Sequence, residues 1–328
     1  MQRRQALLAT AGCAAAGWLS AIDAVAQSSR KAAVVAHLDA SERSDWFAAL
    51  KRQLGELGYV EGSTVAYEVR TANGSLDQLR PMAQDLVRLK VDVIVTSGTA
   101  AALAARRATT KIPIVMATGT DQVSLGLAAS LAHPGGNVTG LSTITSELSA
   151  KRFELLRELL ANKISRLAIL WHSDNLSSMA SIRDIESASG KAAVALQPIG
   201  VAGADELADA FAAMARERAQ GVIVVQTPLM YAERKRIAEL ALKARLPSMF
   251  GAAEFVDAGG LVSYGPSYPE LYRRAAVYVD KILKGASPGD LPIEEPSAVE
   301  LVVNTTTARS LGIPIPSSML TRITRQVR

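Results

Sequence analysis

The sequence predicts an α/β protein of two lobes, each a parallel sheet wrapped by helices, with a cleft between them. Three observations carry this. The first is a pattern of β-branched runs, each ending in a small or polar loop and followed by an Ala/Leu-rich helical stretch, spelled once over residues 31–143 and again over 164–265. Strands alternating with helices at this spacing build parallel sheets. The second is length: 328 residues suffice for two domains of ordinary size, each with its own core. The third is composition, since 49% hydrophobic and 20% charged residues belong to a globular protein and not to a disordered or fibrous one.

In the first half the predicted strands are Ala32 to Ala36, Val65 to Val69, Val91 to Thr96 and Ile112 to Met116. Between the first two, a helix from about Asp45 to Leu57 places Phe47, Leu50, Leu54 and Leu57 on one stripe, and Gly58 ends it. Leu76 to Leu89 repeats the amphipathic pattern, and Ala102 to Thr109 follows the third strand. Pro113 is tolerated at the start of the fourth strand, where its missing N–H matters least. His133 to Gly140 is rich in turn formers and reads as the approach to an interlobe crossing.

A helix from about Ser146 to Leu160 opens the second half. Its predicted strands are Leu167 to Trp171, Ala192 to Leu196, Gly221 to Gln226, Leu246 to Phe250 and Leu261 to Tyr264. They alternate with helices at Ser178 to Ser189, Ala204 to Ala219 and Tyr231 to Arg245. Pro269 to Lys284 is a strong helix closed by Gly285, a favourable C-terminal cap. A strand at Glu300 to Asn304 and a short helix at Thr305 to Leu311 end the pattern, so the last 60 residues are expected to return across the hinge and complete the lobes. The expected division is 1–26 as signal peptide, 27–143 with about 262–288 as the first lobe, and 144–261 with about 289–328 as the second.

The first 26 residues form an export signal in composition: Arg3 and Arg4, an apolar stretch from Ala6 to Ile22, then Ala24-Val25-Ala26 as the small-x-small site, with cleavage before Gln27. A membrane anchor needs about 20 apolar residues, and this stretch falls short and carries Gly12, Gly17 and Ser20. The Arg pair leaves twin-arginine and general export both open. Cys13, the single cysteine, lies early in the signal with Thr10 where a lipoprotein signal has a bulky aliphatic residue, so a lipid anchor there is not expected. The mature chain would then have no cysteine, hence no disulfide and no thiol nucleophile. Processing lowers the formal charge only from +5 to +4, and the Lys and Arg residues are spread along helices instead of gathered on one arm, which argues against nucleic-acid binding. A periplasmic monomer is expected.

Catalysis has little support. His37, His133 and His172 have no metal-ligand spacing, and there is no GxSxG elbow, Walker loop or GxGxxG after a first strand. No catalytic residue, metal or cofactor is assigned. Ligand capture fits better, because open parallel sheets bind ligands at the carboxyl ends of their strands. Ser97-Gly98-Thr99-Ala100 lies between a buried strand and a helix, where hydroxyls and backbone N–H groups meet a positive helix end and suit a carboxylate. Thr118-Gly119-Thr120-Asp121 occupies the same place one strand on, with Asp121 either receiving an ammonium group or capping the next helix. The equivalents in the second half are Ser173-Asp174-Asn175, Gln226-Thr227-Pro228 and Gly251 to Glu254. His37 follows the first strand, and His172 its counterpart, as facing cleft residues or as plain polar positions. Trp171, Tyr231, Phe255 and Tyr264 are available either for an aromatic wall or for core packing.

Several stretches together resemble a known family, the exported substrate-binding proteins of ABC transporters that include tryptophan- and tyrosine-binding members. They are Gly58-Tyr59-Val60-Glu61-Gly62, Val91-Asp92-Val93-Ile94-Val95, Ile112-Pro113-Ile114-Val115, Ser130 to Gly140 and Gly259 to Gly265, with Tyr272 to Ala276 and Leu311 to Pro316 near the end. The resemblance implies a type I periplasmic-binding fold of two Rossmann-like lobes joined by three crossings. It also implies a small carboxylate-bearing ligand between the lobes, hinge closure, and delivery to an ABC permease in the inner membrane. The loops it implicates match Ser97 to Ala100, Thr118 to Asp121, and the regions of Asp174, Gln226 and Glu254. Many relatives carry Asp-Pro where Asp121-Gln122 stands and Asn-Pro near His172-Ser173, so ligand identity does not carry over. A periplasmic sensor reporting to a membrane receptor, and an enzyme on the same scaffold, share these features.

Overall fold

The computed structural model describes residues 32–41, 44–120, 122–143, 146–175, 178–295 and 299–328; the predicted signal peptide, Cys13 and Asp121 lie outside the described residues. Two sheets are present. The first has five strands in the order β2-β1-β3-β4-β5, namely β1 (Ala33–Asp39), β2 (Val65–Thr71), β3 (Val93–Ser97), β4 (Ile114–Thr118) and β5 (Val138–Gly140). All its pairings are parallel, with Ala33 opposite Val65 and Val35 opposite Val93. The second has seven strands in the order β12-β11-β10-β9-β8-β6-β7: β6 (Arg166–His172), β7 (Ala195–Val201), β8 (Val222–Val224), β9 (Ser248–Phe250), β10 (Val262–Pro266), β11 (Val299–Asn304) and β12 (Arg325–Val327).

The burial pattern explains the parallel arrangement. β3 and β4 are buried at every position, as continuous β-branched strands must be when helices cover both faces. On one face of the first sheet lie α1 (Ser44–Glu56) and a helix from much later in the chain, Tyr268–Leu283; on the other lie α2 (Leu79–Arg88) and α3 (Thr99–Ala108). Leu50 and Leu54 of the predicted α1 stripe are fully buried against that late helix, each stabilising by about 1.5–3 kcal/mol. The second sheet is covered on one face by α4 (Ser146–Leu159) and α5 (Ser178–Lys191). On the other lie α6 (Leu207–Arg216), α7 (Pro228–Ala232), α8 (Arg234–Lys243) and α9 (Ala253–Asp257).

Several elements differ from the sequence reading. The strand expected at Ala192 to Leu196 runs instead from Ala195 to Val201, because α5 continues to Lys191 and Ala193 then takes a left-handed turn at φ 55°. The single helix expected from Tyr231 to Arg245 is split into α7 and α8. Val138–Gly140, inside the turn-rich segment, is a strand: Asn137 ties it down by donating from Nδ2 to the carbonyls of Thr109 (3.1 Å) and Ile112 (2.8 Å). Gly140 (φ 127°) lets it lie against β4, where a Cβ would sit 2.3 Å from the Met116 carbonyl oxygen. The terminal strand β12 was not foreseen. The second sheet is also not purely parallel, since β10 and β11 pair antiparallel.

Among the described residues the chain changes sheet three times: between β5 and α4, between β10 and the helix that follows it, and before β11. The sequence reading places 262–288 with the first lobe; strand β10 pairs within the second sheet, and only the following helix, α10 (Tyr268–Leu283), packs on the first. The first and third crossings run side by side: Leu141 and Glu294 form a parallel bridge, and Ser142 N–H donates to the Glu294 carbonyl at 2.8 Å. Arg274 of α10 holds the Glu294 carboxylate with two bonds of 2.7 and 2.6 Å.

Candidate functional site

The strand-end loops of the first lobe are tied to each other. Gly98, at φ 83°, is the N-cap of α3, and no side chain caps that helix. The first-turn amides from Thr99 onward therefore have no intrahelical acceptor, and they point along the positive end of the helix dipole. Gly98 N–H itself is committed to Thr118, donating to its carbonyl at 3.0 Å and its hydroxyl at 2.9 Å. The Thr99 hydroxyl accepts from Thr120 N–H at 3.0 Å and lies 3.3 Å from the Thr120 carbonyl. The Thr118 and Thr99 hydroxyls thus serve to hold the loops together. A Cβ at Gly119 would meet the terminal methyl of Met116, and the Gly119 carbonyl accepts from Thr143 N–H and Oγ1 in the first crossing. Ser97 is buried, whereas Ala100 is exposed and lines a groove of about 330 Å³ between α2 and α3.

His37 sits inside the first lobe, 2% exposed, stacked on Phe47 at 4.5 Å, with Nε2 3.1 Å from the Tyr272 hydroxyl. In the second lobe, Thr227 acts as the N-cap of α7, its hydroxyl accepting from Met230 N–H at 3.3 Å. Asp174 is exposed and Asn175 half-buried in a turn whose amide returns to the His172 carbonyl. Tyr264 packs beside the core between the second sheet and α4, and its carbonyl is an acceptor.

Two of the buried side-chain oxygens without a partner stand just past the ends of β8 and β9. Gln226 Oε1 and Glu254 Oε2 are buried and accept no hydrogen bond. Glu254 Oε1 accepts from the indole N–H of Trp46 in the first lobe, and burial pushes its carboxyl above the usual range against the opposing pull of that bond. Arg152, on α4, is 6% exposed and has no carboxylate within ion-pair distance among the described residues. Its Nε donates to the Tyr264 carbonyl at 2.7 Å, and desolvation holds its guanidinium below the ordinary arginine range. Its Nη1 donates to the Ser149 hydroxyl at 3.5 Å, and Nη2 reaches Gly251: a Cβ there would lie 3.2 Å from Arg152 Nη2 and 2.7 Å from Gln226 Oε1. A glycine at 251 therefore leaves room between a buried cation and an unpartnered amide oxygen.

The sequence reading missed Arg152 and Trp46. Arg152 sits in an amphipathic helix where a single arginine carries no signal, and Trp46 reads as one more apolar residue of α1. Of the four aromatic candidates, Tyr231 and Phe255 meet at 6.2 Å beside Trp46, while Trp171 and Tyr264 pack against the opposite face of the second sheet. Another groove, of about 360 Å³, lies between α4 and α5 and includes none of these residues. No group of three His, Cys, Asp or Glu among the described residues is placed to hold a metal ion, and no helix among them is long and apolar enough to cross a membrane.

Residues 31–327 match the family described as ABC transporter substrate binding protein. The chain belongs to that family. It is 26% identical to a tyrosine-binding protein of Clostridioides difficile over 263 residues, which cover 80% of this chain and 75% of that one. It also superposes on the structure of a Streptococcus pneumoniae ABC domain in complex with L-Trp, with a TM-score of 0.82 and 24% identity over 90% of this chain and 100% of that one. The ligand-free, open structure of a Clostridium difficile substrate-binding protein with adhesive properties gives 0.65 and 20% over the same shares. These neighbours share the type I periplasmic-binding fold of two parallel-dominated sheets flanked by helices. As a family, these are solute-binding proteins, with a small-molecule ligand and an ABC permease as the implied partners.

Proposed function

We propose that the protein is exported to the periplasm, captures a small carboxylate-bearing molecule between its lobes and delivers it to an ABC importer. The observation that carries this is spare hydrogen-bonding capacity at the strand ends of both lobes: uncapped first-turn amides of α3 in the first, and in the second the free oxygens of Gln226 and Glu254 with Arg152, which has no carboxylate partner among the described residues. An anion is favoured by the helix start and by the uncompensated guanidinium, and an ammonium group by the two free acceptor oxygens. An amino acid supplies both. The tyrosine-binding relative and the L-Trp complex favour the same ligand class.

Closure is the mechanism. A ligand touching both lobes stabilises the closed arrangement through contacts that exist only there. In the present arrangement the lobes touch through the Trp46 indole and the Glu254 carboxylate, a contact expected of a closed state. The protein acts as a monomer, binds no nucleic acid and performs no covalent chemistry. Calorimetry against amino acids, short organic acids and the corresponding amines tests this: acids are expected to bind with unit stoichiometry and to be released unmodified, and amines lacking the carboxylate are expected not to bind. Equal binding of the amines, or turnover of a bound acid, would remove the reading.

A further inference from the structure

Trp46, in the first turn of α1, carries its indole across the seam between the lobes. It is 1% exposed. One ring face stacks on Tyr268 with centroids 4.3 Å apart and planes 7° from parallel, and Tyr231 closes on it at 4.7 Å with a tilt of 57°. Tyr272 stands at 6.0 Å, and the indole N–H donates to Glu254. Tyr231 and Glu254 belong to α7 and α9 of the second lobe, and Tyr268 opens α10 at the second crossing. A tyrosine face, a second aromatic wall and a desolvated carboxylate acceptor are what a guest with an aromatic ring and a ring N–H or O–H would need. Here the chain supplies the ring itself.

We infer that Trp46 is a specificity-determining residue: its indole fills the aromatic compartment of the interlobe space, so the guest is an amino acid or organic acid without an aromatic side chain. This rests on the proposal that the interlobe space is the ligand site. With both its ring surroundings and its N–H committed, Trp46 presents no face on which a guest could stack. Glu254 keeps one oxygen for the indole and one without a partner, so the compartment and the polar part of the site meet at that side chain.

The test uses the mature chain, Trp46→Ala and Trp46→Leu, with L-tryptophan, L-tyrosine, L-alanine, L-leucine and free indole as probes. Emptying the compartment is expected to raise affinity for L-tryptophan by about tenfold or more over wild type, as engineered apolar cavities accept ring-shaped guests. Indole is expected to raise the Tm of Trp46→Ala and leave that of wild type unmoved, which reports an emptied compartment in a folded variant, while a gain for L-tryptophan with L-alanine affinity unchanged is the response that a merely structural contact would not give. Trp46→Leu, which keeps apolar packing against Tyr268, carries the same comparison should the alanine variant fail to fold. Wild type binding L-tryptophan as tightly as the variants do, or a Tm of the variants indifferent to indole, would overturn the inference. Failure of every chain to bind any amino acid or short organic acid would instead remove the proposed function, and with it the inference that rests on it.

Discussion

Glu254 and Arg152 are opposite charges that the fold buries without pairing them to each other. For Glu254 the sign of the pH dependence follows from its cause. Burial raises the folded-state pKa above the unfolded one, so its contribution to stability is fully present below the unfolded pKa and is lost as pH rises through the folded value. Glu254→Gln removes this titration while keeping an acceptor for Trp46. The variant is expected to gain stability relative to wild type as pH rises from the ordinary carboxylate range, measured by urea unfolding across pH; a difference that does not change with pH would contradict the burial argument. Arg152→Met is expected to keep the apolar stem packed but to weaken binding of a carboxylate ligand by about a hundredfold, since hydrogen bonds to charged groups contribute about 1.5–3 kcal/mol. Calorimetry with the best-binding acid reads this directly. Trp46→Ala is expected to destabilise the chain by about 3–5 kcal/mol, as large buried aromatics do. None of these roles is visible in the sequence, because burial and unpaired charge are properties of neighbours far along the chain.

Elements were more readable than residues. The i, i+3, i+7 and i+10 spacing of Phe47, Leu50, Leu54 and Leu57 located α1, and continuous β-branched runs located β3 and β4, because those patterns are imposed by one-sided or two-sided burial. β5 and β12 escaped, since three-residue strands at a sheet edge are too short to show any period. The strand-end loops were found at the right places, but the expected use of their hydroxyls was not: Thr99 and Thr118 hold backbone groups of neighbouring loops. Gly140 is the clearest element-scale constraint, combining φ 127° with a strand-to-strand approach that leaves no room for a Cβ. Gly140→Ala is expected to cost about 3 kcal/mol in urea unfolding through backbone strain and overlap with Met116, which cannot move without disturbing β4. A loss well under 1 kcal/mol would show that β5 shifts freely.

At the scale of the molecule, the lobes are joined by three crossings and by an aromatic seam, and one continuous apolar cluster runs from α1 through Trp46 and Tyr231 into α6 and α8. If closure requires a guest, small-angle scattering should show the ligand-free protein with a larger radius of gyration than the saturated one; equal radii would argue against hinge closure. The sequence by itself determined the number of lobes, their α/β class and the loops that end their strands, because hydrophobic period and turn chemistry are local and survive in one dimension. The tertiary structure alone decided which sheet β10 joins and how α10 returns to the first lobe. It also decided that an arginine and a tryptophan unremarked in the sequence stand at the seam, since the pairing of segments more than a hundred residues apart is set by packing and desolvation that no local pattern encodes.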